Sequence, residues 1–405
     1  MASKAGRQIA FVNAAHFLTH YTLLILPTAV LVMARPGGEF GSEYGPVLAL
    51  ATAMFVLYGV GSLPQGWLAA RFGRKPLMLA FCIGTGASLI VAGFVTTPFG
   101  LAAALGVAGL FAAIYHPIGT AMLVEAAGAT PGKSIGVNGV FGNFGVASAP
   151  IVTAFLAGHY GWRAAFIAPG VFGIALGIAW LREPAYDLSA EMTARPFPAI
   201  PPFLVRRAVI VLLAVAVVSG LVFNAFKLLL PKLMEERLAG DATLLPLIGA
   251  LAFMVTICGA ATQFSVGRLI DRTTLRRLFV PMATILAPTL AALALAEGWL
   301  VLPLAGLTAA VIFGQVTVNE TMTARYISPA LRTKMYSVRF FVGFLGSAAA
   351  APLVAILHER TGNLTAATLV LAAFALVTLA CALFFPHRPE ELKPELWEAS
   401  RVPAE

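Results

Sequence analysis

The sequence predicts an all-α membrane protein with twelve transmembrane helices in two pseudo-symmetric six-helix halves, and three observations lead to this fold class. The composition suits a chain in lipid, because 59% of the 405 residues are hydrophobic and only 11% are charged, whereas about a quarter of a soluble protein is charged. The apolar residues are gathered into twelve runs of helix length. Finally, the two halves of the chain match each other at one constant offset.

The apolar runs define the predicted spans, because a membrane-spanning helix needs about 20 mostly apolar residues. Backbone groups in lipid must bond internally, so a span is a helix or a barrel strand, and these runs are too long for barrel strands. In the N-terminal half (1–182), spans 1 to 6 are predicted at 8–34, 46–70, 76–96, 98–126, 134–158 and 162–182. In the C-terminal half (207–405), spans 7 to 12 are predicted at 207–231, 243–267, 277–296, 300–325, 335–357 and 364–385. A polar, proline-rich cytoplasmic linker (183–206) joins the halves, and a short cytoplasmic tail follows the last span.

The basic residues predict the orientation of the chain. With the N-terminus inside, 21 Lys and Arg residues fall in cytoplasmic segments and 5 fall outside, while Lys227 lies within a span. This bias predicts a multi-pass protein of the inner membrane with both termini in the cytoplasm. The net charge of +9 does not indicate nucleic-acid binding, because the basic residues lie in short gaps between apolar runs. The three cysteines all lie within apolar runs, so a disulfide framework is not expected.

The internal repeat has an offset of 201 residues. The loop "GWLAARFGRKPL" begins at Gly66, and "GRLIDRTTLRRL" begins at Gly267. Further pairs at the same offset are Leu68 with Leu269, Arg71 with Arg272, Leu77 with Leu278, Lys133 with Lys334, Gly142 with Gly343 and Gly145 with Gly346. Two parallel halves related by an axis along the membrane normal are a transporter architecture.

The loop after span 2 resembles the signature of the major facilitator superfamily, a G-x-L-x-D-R-x-G-R-K pattern. The matching residues are Gly66, Leu68, Arg71, Gly73, Arg74 and Lys75. The acidic position of the pattern is Ala70, but the second half keeps the acid as Asp271 and has Thr274 at the second glycine. The resemblance covers the whole chain and implies the major facilitator fold.

A narrower resemblance links three segments to the fosmidomycin-resistance group of drug exporters. These segments are "HFLTHY" in span 1, "YHPIGTAMLVEAAG" in span 4 and "GVFGNFGVASAP" in span 5. The His116–Pro117 pair and the Gly-Asn-Phe-Gly sequence at 142–145 are its specific parts. His16 matches the span-1 histidine of that group, whereas His20 stands where the group has an acidic residue. The resemblance implies a proton-coupled exporter.

By analogy with the superfamily, spans 1, 4, 7 and 10 line the central cavity, and each of these spans carries polar residues that are costly to insert into lipid. The candidate substrate and proton residues are His16, His20, Tyr115, His116, Asn224, Lys227, Asn319, Glu320 and Arg325, with Gln315 and Thr323 beside them. The three histidines and the lysine favour an anionic or amphipathic solute. Histidine titrates near neutral pH and can also exchange a proton.

Each candidate also has a purely structural explanation. The histidines could bond to neighbouring helices, and His116 could repair the backbone break that Pro117 makes. Lys227 could extend toward the outer interface, and Glu320 could pair with Arg325 or Arg339 instead of carrying a proton. His16 and His20 are four residues apart on one helix face, but no third ligand has a fixed spacing to them, so no metal site is predicted from the sequence.

The charged residues at the cytoplasmic helix ends form a candidate conformational latch. Its residues are Gly66, Arg71, Gly73, Arg74, Lys75, Glu125, Asp271 and Arg272. Glu125 is the predicted partner of Arg71 or Arg74, and Asp271 is predicted to cap or pair near the start of span 5. The alternative is that the basic residues only set the membrane orientation.

The sequence thus predicts a secondary active transporter that moves a small anionic or amphipathic solute by alternating access, with proton-coupled export. The alternatives are uptake or exchange of an organic anion, and a receptor or lipid-handling protein on the same fold. The antiporter sequence Gly-Pro-x-x-Gly-Gly of span 5 is reduced here to "APIVTA" (149–154). No phosphate-binding loop or catalytic constellation is evident, so neither enzyme activity nor a cofactor is expected. The expected partners are the solute, protons and the bilayer, and a monomer is expected.

Overall fold

The computed structural model describes residues 4–33, 36–41, 44–128, 131–183, 197–238, 245–393 and 396–397. Within these residues the chain is helical and contains no strand. Most of the predicted linker (184–196) lies outside the described residues, as do Arg35, Arg195 and Arg401 of the charge count. The side chain of Lys232 is not described either.

The helices follow the predicted spans in order. The first ten are α1 (Lys4–Leu23), α2 (Ile25–Met33), α3 (Tyr44–Ala49), α4 (Thr52–Ser62), α5 (Gln65–Phe72), α6 (Arg74–Phe94), α7 (Pro98–Ala112), α8 (Tyr115–Ala127), α9 (Pro131–Tyr160) and α10 (Trp162–Arg182). The next seven are α11 (Pro202–Leu238), α12 (Leu245–Ile270), α13 (Leu275–Leu295), α14 (Val301–Tyr326), α15 (Pro329–Ala348), α16 (Ala350–Thr361) and α17 (Thr365–Phe384). Short 3₁₀ turns cover Gly298–Leu300 and Pro389–Leu392.

In the described part of the chain, 11 helical segments are long and apolar enough to cross a membrane, and α4 is a shorter apolar helix in the predicted span 2. The predicted all-α, twelve-span architecture is therefore confirmed. Large apolar side chains remain exposed on these helices, such as Phe94 (68% exposed) and Phe155 (53% exposed). Exposure of this kind is expected where lipid surrounds the protein.

Prolines explain most of the differences from the predicted spans. Proline lacks the N–H that would bond to the carbonyl four residues earlier. Pro27 is four residues after the end of α1 at Leu23, and Pro352 is four residues after the end of α15 at Ala348. Pro117 is four residues after Ala113, where span 4 breaks into α7 and α8. Spans 1, 4 and 11, predicted as single helices, are therefore each two helices.

The described residues form two compact units. Unit 1 contains residues 1–128, 141–192 and 330–341. Its main helix pairs are α6 with α10, α4 with α7, and α1 with α8. The α6–α10 contact is close because both helices present glycine: a Cβ on Gly86 would lie 2.6 Å from the Gly170 carbonyl oxygen. The apolar core around Tyr21, Met54, Leu105 and Phe166 holds these helices together.

Unit 2 contains residues 129–140, 193–329 and 342–405. Its main helix pairs are α13 with α17 and α12 with α14. These are the pairs of spans 9 with 12 and 8 with 10, so unit 2 repeats the pairing of spans 3 with 6 and 2 with 4 in unit 1. The internal repeat of the sequence thus corresponds to a repeated packing pattern.

Each unit includes the start of one helix from the other half of the sequence. The first part of α15 belongs to unit 1, where the Gly66 N–H donates to Ser337 Oγ at 2.8 Å. The first part of α9 belongs to unit 2, where a Cβ on Gly267 would lie 2.8 Å from the Cα of Gly136. Gly66 and Gly267 are equivalent positions of the repeat, so the same kind of close helix crossing occurs once in each unit.

Candidate substrate and proton site

Three histidines meet in unit 1. His16 and His20 lie one turn apart on α1, and their Nε2 atoms are 3.1 Å apart. His116, in the first turn of α8, brings its ring centroid to 5.2 Å from that of His16 and 5.3 Å from that of His20. One ring nitrogen from each of the three lies within 4.8 Å of the others. We call these three residues the histidine cluster.

Local structure explains how His116 reaches α1. The break at Ala113–Ile114, set by Pro117, ends α7 and starts α8 at Tyr115. The first turn of α8 therefore lies against α1, and the two helices pack against each other. The Tyr115 hydroxyl donates to the Val12 carbonyl at 3.1 Å and ties the two helices together.

Aromatic rings surround the histidine cluster. Tyr115 is fully buried and stacks on His16 with 5.0 Å between ring centroids. Tyr58 contacts His116 at 6.3 Å, and Phe340 of α15 contacts it at 4.7 Å. The Arg339 guanidinium lies 4.8 Å from the Phe340 ring. The cluster is thus mostly buried among aromatic rings, and the Arg339 cation lies against one of them, Phe340.

The glycine-rich segment of α9 makes room for His16. A Cβ on Gly142 would lie 2.6 Å from His16 Cε1, and a Cβ on Gly145 would lie 2.4 Å from the Phe17 carbonyl oxygen. Phe144 packs on Phe17 with 5.6 Å between ring centroids. The Gly-Asn-Phe-Gly sequence is therefore part of the wall of this site.

Asn224 and Lys227 lie on α11 in unit 2. The Asn224 Nδ2 group donates to the Gly220 carbonyl at 2.9 Å and to Ser347 Oγ at 2.7 Å, so Asn224 joins α11 to α15. The Lys227 ammonium lies 4.3 Å from the centre of the Phe223 ring. A cation over an aromatic face is stabilised by the ring quadrupole.

Polar side chains follow one another along α14, also in unit 2. Gln315, Asn319 and Thr323 recur every fourth residue and are buried, as is Glu320 at 7% exposure. Gln315 Nε2, Asn319 Oδ1 and Thr323 Oγ1 have no hydrogen-bond partner among the described residues. Buried polar groups without hydrogen bonds are costly unless water or a solute bonds to them. This face of α14 is therefore the second candidate site.

Arg325 lies at the end of α14 with partners of its own. Its guanidinium donates to the carbonyls of Ile270 and Thr273, and it lies 3.9 Å from the Glu391 carboxylate. Glu391, in the 3₁₀ turn after α17, accepts from the Leu275 N–H at 2.7 Å. Burial raises the pKa of Glu391 to about 7, although the Arg325 charge acts in the opposite direction. Arg325 is therefore placed as an anchor between α14, the loop before α13 and the C-terminal segment.

Two of the latch candidates of unit 1 are paired with each other. Arg74, at the start of α6, forms an ion pair with the buried Glu125 of α8. This is one of the two pairings that the sequence predicts for Glu125, while the latch role itself remains a prediction. Arg332, which is 3% exposed, lies within electrostatic reach of both. The Lys75 ammonium donates to the Glu183 carbonyl.

The remaining latch candidates of unit 1 have different surroundings. Arg71 is exposed, and its guanidinium lies 5.6 Å from the Phe72 ring. Gly73 has φ +80°, a conformation that favours glycine, and it ends α5 and starts α6. Gly66 is buried, and a Cβ there would lie 2.5 Å from the Lys334 Cα.

Asp271 caps the start of α9 in unit 2. Its Oδ1 accepts from the Gly132 N–H at 3.0 Å, and its Oδ2 accepts from the Lys133 N–H at 2.9 Å. A carboxylate at a helix N-terminus accepts hydrogen bonds from the free N–H groups and interacts favourably with the positive end of the helix dipole. Exposed Arg272 lines a cavity of about 500 Å³ beside Asp271, together with Lys133, Ser265, Arg268 and Leu269.

Sequence reasoning does not place Arg332 or Phe340 in these sites, and it considers Arg339 only as a partner of Glu320. Arg339 is 8% exposed and lies in an otherwise apolar run, so the rule that singled out Lys227 could have found it. Phe340 carries no such signal, because its role depends on where α15 packs.

Comparison with known proteins agrees with this architecture. Residues 9–319 and 245–404 match the family model described as Major Facilitator Superfamily. A comparison with curated proteins gives no significant match.

Among solved structures, the chain is similar to FucP, the E. coli fucose:proton symporter, in its outward conformation, with a TM-score of 0.73, 14% identity and 95% of this chain and 100% of that chain covered. It is similar to the human organic anion transporter MFSD10 (TETRAN), with a TM-score of 0.73, 17% identity and coverage of 95% and 100%. It is also similar to the proton:xylose symporter XylE, with a TM-score of 0.75, 12% identity and 99% of each chain covered. These structures show the fold.

The family model spans most of the sequence. The protein therefore belongs to the major facilitator superfamily, a family of membrane transporters.

Proposed function

We propose that the protein is a secondary active transporter that exports a small anionic or amphipathic solute across the inner membrane in exchange for protons, by alternating access. The histidine cluster carries this proposal. The three imidazoles have ring nitrogens within 4.8 Å of one another, so they cannot all be protonated without strong repulsion. The number of protons that they hold therefore changes readily when an anion binds beside them or leaves.

The surroundings of the cluster support an anionic or amphipathic solute. Arg339 contributes a permanent positive charge behind Phe340. The partly exposed ring of Phe340, which contacts His116, offers apolar surface for the rest of the solute. The resemblance of spans 1, 4 and 5 to the fosmidomycin-resistance exporters supports the direction of transport. The charge bias supports cytoplasmic termini, and we expect a monomer.

Uptake or exchange of an organic anion is the second candidate. Two features of the sequence favour it: His20 stands where the exporter group has an acidic residue, and the antiporter sequence of span 5 keeps only Pro150. Two of the similar structures are named as proton symporters, and one is named as an organic anion transporter.

The test uses inside-out membrane vesicles with an acidic interior and a pH-sensitive dye. Fosmidomycin and then a panel of small organic anions are added to vesicles that contain the protein and to vesicles that lack it. Release of protons upon addition of a solute supports proton-coupled export and identifies the class of solute. If labelled anion crosses the membrane without proton release, uptake or exchange replaces export. Binding without flux would indicate a receptor.

Two variants connect the measured flux to the cluster. His20→Ala removes one imidazole, whereas Cys82→Ala removes a buried thiol of α6 that is outside the cluster. We expect His20→Ala to reduce flux at least tenfold and Cys82→Ala to leave most of it. Equal effects in vesicles with equal amounts of protein would remove the cluster from the proposed mechanism.

Glu320 is the competing proton carrier, because it is a buried carboxylate among the polar residues of α14. Glu320→Gln retains the shape of the side chain but cannot ionise. If Glu320 carries the proton, this variant exchanges solute without moving protons. An unchanged dependence of flux on pH in Glu320→Gln assigns the proton to the histidine cluster.

A further inference from the structure

The histidine cluster has the composition of a metal site. Imidazole nitrogen is a preferred ligand of Zn²⁺, Co²⁺ and Ni²⁺, and three imidazoles with an open fourth position are a common zinc arrangement. The sequence supplies the His-x-x-x-His pair of α1, and the fold adds His116 as the third ligand that no spacing in the sequence indicates.

The distances fit a metal ion. With metal–nitrogen bonds of about 2.0–2.1 Å, neighbouring nitrogens of a tetrahedral site are separated by about 3.3 Å. The Nε2 atoms of His16 and His20 are already 3.1 Å apart. The farthest pair of ligand nitrogens in the cluster is within 4.8 Å, so closing the site needs a shift of about 1.5 Å, which ring rotations can supply.

The surroundings hold the first ligand in place. The ring of His16 lies between the stacked ring of Tyr115 and the bare backbone of Gly142, where any Cβ would collide with the imidazole. Groups that fix the orientation of a ligand raise metal affinity. Two of the three ligands are also fixed to each other by the helical spacing of α1.

We propose that His16, His20 and His116 bind one divalent transition-metal ion of the zinc class, with one coordination position left open. Three neutral imidazoles leave the ion with a charge of +2, which is costly inside a membrane. An anionic oxygen ligand at the open position would offset part of that charge. The metal and the protons of the proposed function would compete for the same imidazole nitrogens, but metal binding can be measured without transport and is therefore tested separately.

The test is a metal titration of the purified, full-length protein in detergent, prepared with an affinity tag that contains no histidine and stripped with a chelator. Co²⁺ is the first probe, because its visible absorption reports coordination by nitrogen ligands. Zn²⁺ is then added as a competitor. We expect one equivalent of Co²⁺ to bind and Zn²⁺ to displace it.

The variants show whether the three histidines act together. We expect His16→Ala, His20→Ala and His116→Ala each to weaken binding at least tenfold. His159→Ala is the matched control, because His159 is an exposed histidine on α9 that bonds to its own helix at Phe155. Thermal unfolding checks that each variant is folded, and His116→Gln replaces His116→Ala if the alanine variant is unstable. Absence of saturable binding, or binding by His116→Ala and His116→Gln equal to that of wild type, overturns the proposal.

A second arm distinguishes a resident ion from a transported one. Proteoliposomes loaded with Zn²⁺ are followed with an external zinc dye. Protein-free liposomes loaded in the same way are the control. Once the titration has shown saturable binding, zinc release faster than from the protein-free liposomes indicates cargo, and release at the protein-free rate indicates a resident ion. If the wild-type protein binds metal but shows no proton-coupled solute flux, the proposed function is refuted and the metal site is still supported.

Discussion

Replacing Gly66 with alanine tests a close helix crossing in unit 1. Gly66 lies in α5, and its N–H donates to Ser337 Oγ at 2.8 Å. A Cβ at this position would lie 2.5 Å from the Cα and 2.8 Å from the backbone nitrogen of Lys334. Both obstructing atoms belong to the backbone of α15, so a change of side-chain rotamer cannot relieve the collision.

The size of the effect follows from these distances. Carbon atoms in contact prefer a separation of about 3.5 Å or more, so α5 and the start of α15 would have to move apart by about 1 Å. Overpacking of this kind costs about 1–3 kcal/mol, and the bond to Ser337 is worth about 1 kcal/mol more. Alanine returns at most about 1 kcal/mol in helix propensity. We therefore expect Gly66→Ala to destabilise the protein by about 2 kcal/mol.

Thermal unfolding of the purified protein in detergent measures this effect, and Gly158→Ala is the matched control. Gly158 also lies inside a helix, but a Cβ there would have no atom within 4 Å, so alanine should be neutral or slightly stabilising. Gly267→Ala, the equivalent change in unit 2, should resemble Gly66→Ala because its Cβ would lie 2.7 Å from the Gly132 carbonyl oxygen. If Gly66→Ala unfolds at the same temperature as Gly158→Ala, the reasoning from close packing is refuted.

Three further substitutions test the contacts at the helix ends. Asp271→Ala removes both acceptors at the start of α9, so we expect a loss of about 1 kcal/mol and faster hydrogen exchange in the first turn of that helix by mass spectrometry; unchanged exchange would contradict the cap. Arg74→Ala leaves the buried Glu125 without its ion-pair partner and should lower stability by about 1–3 kcal/mol, whereas Arg71→Ala at an exposed site should have little effect on the same thermal unfolding. Burial raises the pKa of Glu391 from 4.5 to about 7, so its contribution to stability is full below about pH 4.5 and is lost as the pH rises through about 7. Glu391→Gln should remove up to about 3 kcal/mol of this pH dependence, and melting curves between pH 5 and 8 that are identical to wild type would show that Glu391 titrates normally.

Hydropathy and charge predicted the fold because lipid imposes simple rules on a chain. Each span must be long, apolar and helical, and these properties are visible in the sequence. What hydropathy could not show is where a span breaks. The break before Pro27 depends on proline geometry, which the apolar pattern of span 1 does not report. Span 1 is therefore predicted as one helix across the break.

The candidate site was only partly predictable. His16 and His20 could be placed on one face of a helix from their spacing, but the approach of His116 depends on the break before α8. Asn224 is a predicted cavity residue, and in the structure its side chain donates to Ser347 Oγ, a partner that the polar pattern of a span does not indicate. Arg325 is also a predicted cavity residue, and its guanidinium donates to the Ile270 carbonyl at the end of α12 and lies 3.9 Å from the Glu391 carboxylate. Which partner a polar group finds is decided by packing.

The first part of α15 contacts both the latch candidate Gly66 and the histidine cluster of unit 1. Ser337 accepts from Gly66, and Phe340, three residues later, contacts His116 at 4.7 Å between ring centroids. A helix rises about 1.5 Å per residue and is stiff over one turn, so Ser337 and Phe340 must move together. A displacement that breaks the Gly66 contact would therefore also withdraw Phe340 from His116. Because exposure and packing of an imidazole influence how readily it accepts a proton, we expect a displacement of this segment to change the protonation of the cluster.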